Sequence, residues 1–214
     1  MNLVNYYWWY DGVVPNKFCN DVLKHAKTRE EELALTGSVG KGRDLKQQPL
    51  SDKEIFDLKK KRDSNITWLN DQWIYNEIFG YVRGANTNAG WNFQWDHAES
   101  CQFTKYNKGQ YYDWHCDSWD KPYDETAHKN YRGRVRKLSV TLNLSDSNDY
   151  EGGDLQFDFR NKDPDKPANI LTAKETKSKG SLIIFPSDVW HRVLPVTKGT
   201  RYSLVMWCLG KPFV

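Results

Sequence analysis

Long apolar runs are absent from this sequence. No stretch approaches the roughly 18 consecutive apolar residues that a membrane-spanning helix needs. The N-terminal segment MNLVNYYWWYDG also lacks the basic region followed by an apolar region that marks a secretion signal. We therefore expect a soluble, cytoplasmic protein without a membrane partner.

Paired cysteines and a large net charge are missing as well. Cys19, Cys101, Cys116 and Cys208 are far apart and form no CxxC pair, so the sequence suggests neither a disulfide framework nor a zinc ribbon. The 31 basic residues nearly balance the 28 acidic ones, and the net charge is +3. Such a balance requires neither a nucleic acid nor an anionic membrane as partner, and we expect no nucleic-acid partner.

Aromatic residues, in contrast, are abundant. The chain has 10 Trp, 12 Tyr and 9 Phe, whose rings bury large areas, although the hydrophobic fraction is only 38%. Two helices are predicted, over residues 16–28 and 71–88, from apolar residues at helical spacing. A strand is predicted at 66–70, and Ser51 with Glu54 forms a potential capping box before a short helical stretch. The glycine-rich segment 36–49 is predicted to be a loop.

The pattern changes at about residue 100, where short β-rich runs separated by turns begin. These runs are SCQFTKY, QYYDWHCD, RKLSVTLNLS, GGDLQFDF, SLIIFP, WHRVLPV and TRYSLVMWCLG. Without intervening helices, they predict an antiparallel sandwich or barrel. The polar connections 118–133 and 161–179 are long enough to be lids. We expect a single domain over 1–214, with N-terminal helical support in 1–98 and a β core in 99–210.

The most informative local motif is His115-Cys116-Asp117. Side chains two apart on a strand point to the same face, so an imidazole and a carboxylate here can bind one ion from one side. An HxD motif occurs by chance in many chains, but His191 can add the second imidazole of the facial set that binds Fe(II). Arg201 opens the next predicted strand, and its guanidinium can bind a carboxylate through two parallel hydrogen bonds. This combination predicts a metal site with a small dicarboxylate cosubstrate.

Four ordered motifs resemble a known family. YNKGQYYDWHCD, RKLSVTLNLSD, YEGGDLQF and FPSDVWHRV, followed by Arg201, are similar to the prolyl 4-hydroxylase-type branch of the 2-oxoglutarate- and Fe(II)-dependent dioxygenases. The resemblance implies an α+β fold, in which a double-stranded β-helix (a jelly-roll, cupin-like core of mainly antiparallel strands) is supported by N-terminal helices. It also implies Fe(II), 2-oxoglutarate and O2, with ascorbate as reductant. A core of this length is typical of bacterial or viral members.

The site residues that the resemblance implies fall into three groups, with no catalytic residue beyond the metal ligands. The metal ligands are His115, Asp117 and His191. The cosubstrate-binding residues are Arg201, Tyr106, Trp207 and Asn143, although several relatives have a tyrosine at the position of Asn143. The substrate-binding residues are Tyr112, Arg136 and Trp114, and Trp119 is a further candidate for the floor of the substrate groove.

The activity implied is hydroxylation of a prolyl residue in a protein or peptide, with succinate and CO2 as coproducts. The same chemistry on a free amino acid, another small molecule or a modified nucleobase is the alternative. The basic run 128–137 would attract a phosphate-bearing partner, unless it is a solvated loop and strand edge. A noncatalytic β-barrel binding module is the alternative from another class, but the complete set of His115, Asp117, His191 and Arg201 argues against it.

Overall fold

The structure is a computed structural model, and it describes residues 5–36, 39, 45–118, 121–160 and 165–213. Most of the predicted glycine-rich loop, Trp119 and the start of the connection 161–179 lie outside the described residues. Within the described residues, no helix is both long enough and apolar enough to cross a membrane.

The described residues contain three α-helices, fourteen strands and one 3-10 turn at Lys174–Thr176. The helices are α1 (Asn16–Ala26), α2 (Asp52–Lys59) and α3 (Gln72–Asn88). The strands are β1 (Trp8–Tyr10), β2 (Glu32–Leu33), β3 (Arg62–Asp63), β4 (Asn65–Leu69), β5 (His97–Ala98), β6 (Cys101–Asn107), β7 (Tyr111–His115), β8 (Val135–Asn143), β9 (Tyr150–Gly152), β10 (Leu155–Asp158), β11 (Ile170–Thr172), β12 (Leu182–Pro186), β13 (Trp190–Val193) and β14 (Val196–Gly210).

The helices begin and end close to the predicted positions because the local signals are strong. Ser51 and Glu54 form the expected capping box, in which the Ser51 hydroxyl accepts from the Glu54 amide and the Glu54 carboxylate accepts from the Ser51 amide. In α3 the buried residues follow helical spacing, and they are Ile74, Ile78, Val82 and Ala85. Both long helices pack their apolar faces into one core cluster with the larger sheet.

The strands form two antiparallel sheets. The larger has nine strands, in the order β1-β12-β8-β14-β6-β4-β2 with β5 and β9 paired to β14, and the smaller has the order β11-β10-β13-β7-β3. This arrangement confirms the predicted double-stranded β-helix with supporting helices. Strands β1, β2 and β4 from the N-terminal part pair within the larger sheet. Those pairings support our proposal of a single domain over 1–214.

Strand alternation gives the larger sheet two different faces. In β12, Leu182 and Ile184 join the core cluster on the helix side, whereas Ile183 and Phe185 join the cluster between the sheets. In β14, Leu204, Met206 and Cys208 point to the helix side and join the same core cluster. The residues that alternate with them on β14, Ser203, Val205 and Trp207, line a cavity between the two sheets. The helices therefore cover one face of this sheet and leave the other face to line the cavity.

Candidate active site

The structure brings His115, Asp117 and His191 together. His115 is the last residue of β7 and pairs across the smaller sheet with His191 on β13. Asp117 follows in a bend just beyond β7. Its two carboxylate oxygens lie 3.8 Å from His115 Nε2 and 3.6 Å from His191 Nε2. One donor atom from each of the three residues lies within 4.8 Å of the others, which is close enough to share one ion.

Both imidazoles are oriented by backbone carbonyls. His115 Nδ1 lies 2.8 Å from the Asp113 carbonyl oxygen, and His191 Nδ1 lies 3.0 Å from the Val189 carbonyl oxygen. Because a carbonyl only accepts hydrogen bonds, each Nδ1 donates, and a neutral ring held in this way has its lone pair on Nε2. The two Nε2 atoms are the ones that point to Asp117, so both rings present their metal-binding nitrogen to the same point.

Electrostatics favour the protonation states that a divalent metal needs at Asp117 and His115. Burial raises the pKa of the Asp117 carboxyl, but His191, His115 and Arg136 outweigh burial and lower that pKa to about 2. Ser139 Oγ also donates to Asp117 Oδ2 at 2.7 Å. Burial, followed by the proximity of His191, lowers the pKa of His115 well below its ordinary value. The donor set of two imidazoles and one carboxylate fits Fe(II).

A β-bulge adds Tyr112 to the same face. Along β13 the pairing advances two residues, from His191 to Val193, while on β7 it advances three, from His115 to Tyr112. The extra residue brings Tyr112 and His115 onto one side of the sheet, although simple alternation would separate them. Their rings stack with centroids 3.5 Å apart and an interplanar angle of 12°. Burial raises the pKa of Tyr112 to about 12, so its phenol keeps its proton and remains a hydrogen-bond donor.

Arg201 reaches the same cavity from the larger sheet. It is 3% exposed, it pairs in register with Tyr106 on β6, and its guanidinium carbon lies 5.7 Å from the centre of the Tyr106 ring. The hydrogen bond it makes is weak, from Nη1 to Ser203 Oγ at 3.4 Å. In the described part of the chain no carboxylate forms an ion pair with it. A buried cation of this kind is costly unless an anion binds there.

The cavity that joins these groups has a volume of about 330 Å³. It is lined by the three potential metal ligands and by the predicted cosubstrate and substrate residues Arg201, Tyr106, Trp207, Tyr112 and Arg136. Trp207 is 6% exposed, and its indole Nε1 has no hydrogen-bond partner among the described residues. A buried N–H group without a partner in a cavity wall is available to donate to a ligand oxygen.

Two predicted site residues lie elsewhere. Asn143 does not line this cavity, because its amide nitrogen donates to the carbonyl oxygens of Lys177 at 2.8 Å and Ser145 at 3.1 Å. Trp114 precedes His115 on β7 and therefore points to the opposite face, where the Arg192 guanidinium lies 4.6 Å from its ring. Neither Asn143 nor Trp114 is therefore among the described residues that line the cavity, and their contacts with a cosubstrate and a substrate stay predictions.

An ion pair that the sequence did not reveal packs against the cavity wall. Glu99 accepts two hydrogen bonds from Arg136, at 2.6 and 2.7 Å, and a third from the Tyr123 hydroxyl at 2.9 Å. The Arg136 guanidinium carbon also lies 3.9 Å from the centre of the Trp207 ring. Since Arg136 is 37 positions along the chain from Glu99, no local motif connects the two residues. The pair therefore holds a guanidinium against the Trp207 ring in the cavity wall.

Glu99→Gln should destabilise the protein strongly, because it leaves the buried Arg136 without its counter-charge. We expect a loss of about 3 kcal/mol in the free energy of unfolding, measured by urea denaturation. The matched control is Asp96→Asn, which removes the carboxylate from the more exposed pair between Asp96 and Arg134 and should cost less than about 1 kcal/mol. Equal losses in the two variants would contradict a structural role for the Glu99 pair.

The basic run 128–137 is largely neutralised by nearby acids. Arg132 pairs with Glu125 at 2.9 Å, and Arg134 with Asp96 at 2.8 Å. Arg136 is the residue bound to Glu99. Three of the five cations in the run therefore have carboxylate partners, which favours the interpretation as a strand edge over a rim that attracts phosphate.

The fold and the site together define a class of protein. Two antiparallel sheets that enclose a His-Asp-His group and a buried arginine are typical of metal-dependent oxygenases with a double-stranded β-helix. The family model described as 2OG-Fe(II) oxygenase superfamily matches residues 101–209, which is half of the chain. The chain belongs to this superfamily.

Curated relatives and solved structures agree with this assignment. A PKHD-type hydroxylase of Synechococcus sp. (strain CC9902) is 37% identical over 100 residues, or 46% of this chain and 36% of the relative. One of Shewanella oneidensis is 36% identical over 106 residues, or 49% of this chain and 40% of the relative. The match therefore spans well under half the length of these relatives. Both results confirm the resemblance to the prolyl 4-hydroxylase-type branch.

Two solved structures share the fold over nearly the whole chain. A Pseudomonas putida prolyl-4-hydroxylase superposes with a TM-score of 0.63 at 17% identity, covering 98% of this chain and 95% of that one. A viral collagen prolyl hydroxylase from Paramecium Bursaria Chlorella virus-1 gives a TM-score of 0.61 at 20% identity, covering 97% of each chain. At these identities the superpositions establish the fold alone.

Proposed function

We propose that this chain is an Fe(II)- and 2-oxoglutarate-dependent dioxygenase that hydroxylates a prolyl residue in a protein or peptide. The observation that carries the proposal is the buried Arg201, which has no carboxylate partner among the described residues and lines the same cavity as the His-Asp-His group. A metal ion would bind the His-Asp-His group, and a carboxylate of a small diacid would balance the charge of Arg201. Branch membership and a structural neighbour solved with a peptide fragment support a prolyl peptide as substrate.

In this proposal His115, Asp117 and His191 hold Fe(II) through Nε2, one carboxylate oxygen and Nε2. When bound, Fe(II) with 2-oxoglutarate and O2 supplies the oxidising chemistry: the diacid loses CO2 to become succinate, one oxygen atom enters succinate and the other enters a C–H bond of the substrate. The protein orients the reactants and excludes water, and no further acid or base residue is needed. We include ascorbate as reductant and a cytoplasmic location in the proposal.

The remaining cavity residues bind the cosubstrate and position the substrate. Arg201 binds the distal carboxylate of 2-oxoglutarate through its guanidinium fork, and the Tyr106 hydroxyl contributes to the same end. The Trp207 indole N–H donates to a ligand oxygen inside the cavity. Tyr112, stacked on His115, and Arg136, fixed by Glu99, line the side from which the substrate approaches.

Gly153 makes room for Arg201, and this space can be tested. A Cβ atom at Gly153 would lie 2.9 Å from Arg201 Cδ and 3.0 Å from Val196 Cγ2, and the residue has a φ of +63°. Gly153→Ala should therefore displace the guanidinium and weaken 2-oxoglutarate binding about tenfold, a loss of the size of one hydrogen bond to a charged group. Calorimetry with Mn(II) in place of Fe(II) measures the affinity.

The control for Gly153→Ala is Gly109→Ala. Gly109 also has a positive φ, +88°, but a Cβ atom there would meet nothing within 4 Å. Both variants should lose about 1 kcal/mol of stability from backbone strain, whereas only Gly153→Ala should weaken 2-oxoglutarate binding. A similar loss of affinity in both variants would contradict the steric explanation.

The proposed function is tested by incubating the protein with Fe(II), ascorbate, 2-oxoglutarate and proline-containing peptides. We expect succinate to form together with peptides that gain one oxygen atom on proline, located by tandem mass spectrometry. Reactions without 2-oxoglutarate are the control. Succinate formation without any oxidised proline would reject the substrate, and failure to bind 2-oxoglutarate would reject the chemistry.

A further inference from the structure

A second buried arginine lines the active-site cavity, and the proposed reaction gives it no role. Arg62 lies in the edge strand β3 and is 5% exposed. Its Nε donates to Ser64 Oγ at 2.8 Å, and its guanidinium carbon lies 4.5 Å from the centre of the Tyr112 ring. Over the described ranges, Arg62 takes part in no ion pair. It is therefore a cation beside the metal group whose charge no protein carboxylate balances.

The neighbouring carboxylates are already engaged. Of the two carboxylates in the cavity wall, Asp117 belongs to the metal group. Glu32 is exposed at the rim, and its Oε1 accepts the indole N–H of Trp68 at 2.7 Å. Arg136, in contrast, shows how this protein compensates a buried guanidinium, since Glu99 binds it through two hydrogen bonds. Because burying an unpaired charge costs several kcal/mol, an anion from outside the chain would stabilise Arg62 in this position.

The two unpaired arginines lie on different sheets. Arg201 is on β14 of the larger sheet beside Tyr106, whereas Arg62 is on β3 of the smaller sheet and pairs in register with Tyr112. The His115 ring covers one face of Tyr112 at 3.5 Å, so the Arg62 guanidinium lies over the other face. Arg62 is thus separated from a metal-binding imidazole by the thickness of one aromatic ring. A diacid bound to Arg201 leaves this second position for another anion.

We propose that Arg62 binds a carboxylate of the substrate, so that the molecule to be hydroxylated carries an acid group close to the reacting carbon. The inference rests on the proposed function for the reaction itself. A carboxylate matches the guanidinium fork through two parallel hydrogen bonds, which fix orientation as well as position. The acid group has two possible sources, a main-chain carboxylate of an amino acid or C-terminal residue, or the side chain of an aspartate or glutamate next to the reacting residue.

Four probes separate these sources. N-acetyl-L-proline and free L-proline carry a main-chain carboxylate, acetyl-Asp-Pro-Gly-amide carries a side-chain carboxylate, and acetyl-Gly-Pro-Gly-amide carries none. Binding is measured by calorimetry on the protein loaded with Mn(II) and 2-oxoglutarate without oxygen, and turnover is followed as the gain of one oxygen atom. We expect at least one acidic probe to bind about 10- to 100-fold more tightly than the neutral one, as expected for a hydrogen-bonded charge.

Variants assign that preference to Arg62. Arg62→Gln should abolish the advantage of the acidic probe and leave 2-oxoglutarate binding within about twofold of the unchanged protein, while Arg62→Lys, which keeps the charge, should retain part of the advantage. Arg29→Gln, at an exposed arginine outside the cavity, is the control and should change neither affinity. Thermal unfolding of each variant shows that the comparison is made on folded protein.

The results separate this inference from the proposed function. A preference for acidic probes that depends on Arg62 supports the inference even if no probe gains oxygen, an outcome that would reject only the prolyl reaction. Equal binding of acidic and neutral probes, or the absence of binding by every acidic probe, overturns it. Loss of 2-oxoglutarate binding in Arg62→Gln also overturns it, because Arg62 would then bind the cosubstrate.

Discussion

His115→Ala is expected to remove metal and turnover together. The variant deletes one of three donors whose positions are fixed by backbone carbonyls and by Ser139, so the remaining His191 and Asp117 hold the ion much more weakly. A bound catalytic metal lowers the activation barrier by several kcal/mol, and a loss of about 4 kcal/mol slows the reaction by ~10³-fold. Metal analysis of anaerobically purified protein and succinate formation measure the two effects.

The control for His115→Ala is His128→Ala, at an exposed histidine outside the cavity. It should keep full metal content and full turnover. Thermal unfolding of metal-free protein should be similar for both variants, since the expected loss concerns the ion rather than the fold. Full activity in His115→Ala would show that the His-Asp-His group is not the metal site.

Arg201→Leu should have opposite effects on ligand binding and on the stability of the free protein. Without the guanidinium, the affinity for 2-oxoglutarate should fall by about 100-fold, because a charge-assisted pair of hydrogen bonds is lost. The free energy of unfolding of the ligand-free protein should stay the same or rise, because the variant removes a buried charge that no described residue pairs with. Calorimetry and urea denaturation give the two quantities.

Arg201→Lys distinguishes charge from geometry in this experiment. A lysine keeps the positive charge but loses the fork, so we expect an affinity between those of the leucine variant and the unchanged protein. If Arg201→Leu binds 2-oxoglutarate normally, the diacid is held elsewhere in the cavity, and Arg62 becomes the first alternative. If Arg201→Leu unfolds at lower denaturant concentrations, the guanidinium stabilises the free fold after all.

The sequence was most informative where a short motif determines the geometry. His115 and Asp117 are two residues apart at the end of a strand, and His191 follows an apolar strand ending in Phe-Pro, so their convergence follows from strand alternation and the family motifs. The supporting helices were also predictable, because the capping box at Ser51 and the apolar stripe of α3 are local signals. The β-helix core followed from the succession of β-rich runs and from the resemblance.

The sequence was least informative where function depends on contacts between distant residues. Glu99 and Arg62 have no distinctive neighbours in the sequence, and only tertiary packing brings them to Arg136 and Tyr112. The bulge that turns Tyr112 towards His115 depends on the pairing of β7 with β13, which no single strand encodes.

The two predicted site residues that lie outside the cavity wall were assigned for different reasons. Asn143 was assigned from the resemblance, but its shorter amide side chain bonds to the carbonyl oxygens of Ser145 and Lys177 instead of reaching the cavity. Trp114 was assigned because it is next to His115 in sequence, yet neighbours along a strand point to opposite faces. Adjacency to a metal ligand is therefore weaker evidence than a spacing of two.

The position of β14 connects cosubstrate binding to the completion of the fold. This strand follows all the other strands in sequence, yet it lies between β8 and β6 in the middle of the larger sheet. It also carries Arg201 and Trp207. In a chain whose β14 has not inserted, the larger sheet is interrupted. The Arg201 guanidinium, which we assign to the diacid, is then not in the cavity. Because such a chain cannot bind the ligand, 2-oxoglutarate should raise the unfolding temperature by mass action, and retention on an immobilised diacid would separate completely folded chains from incompletely folded ones.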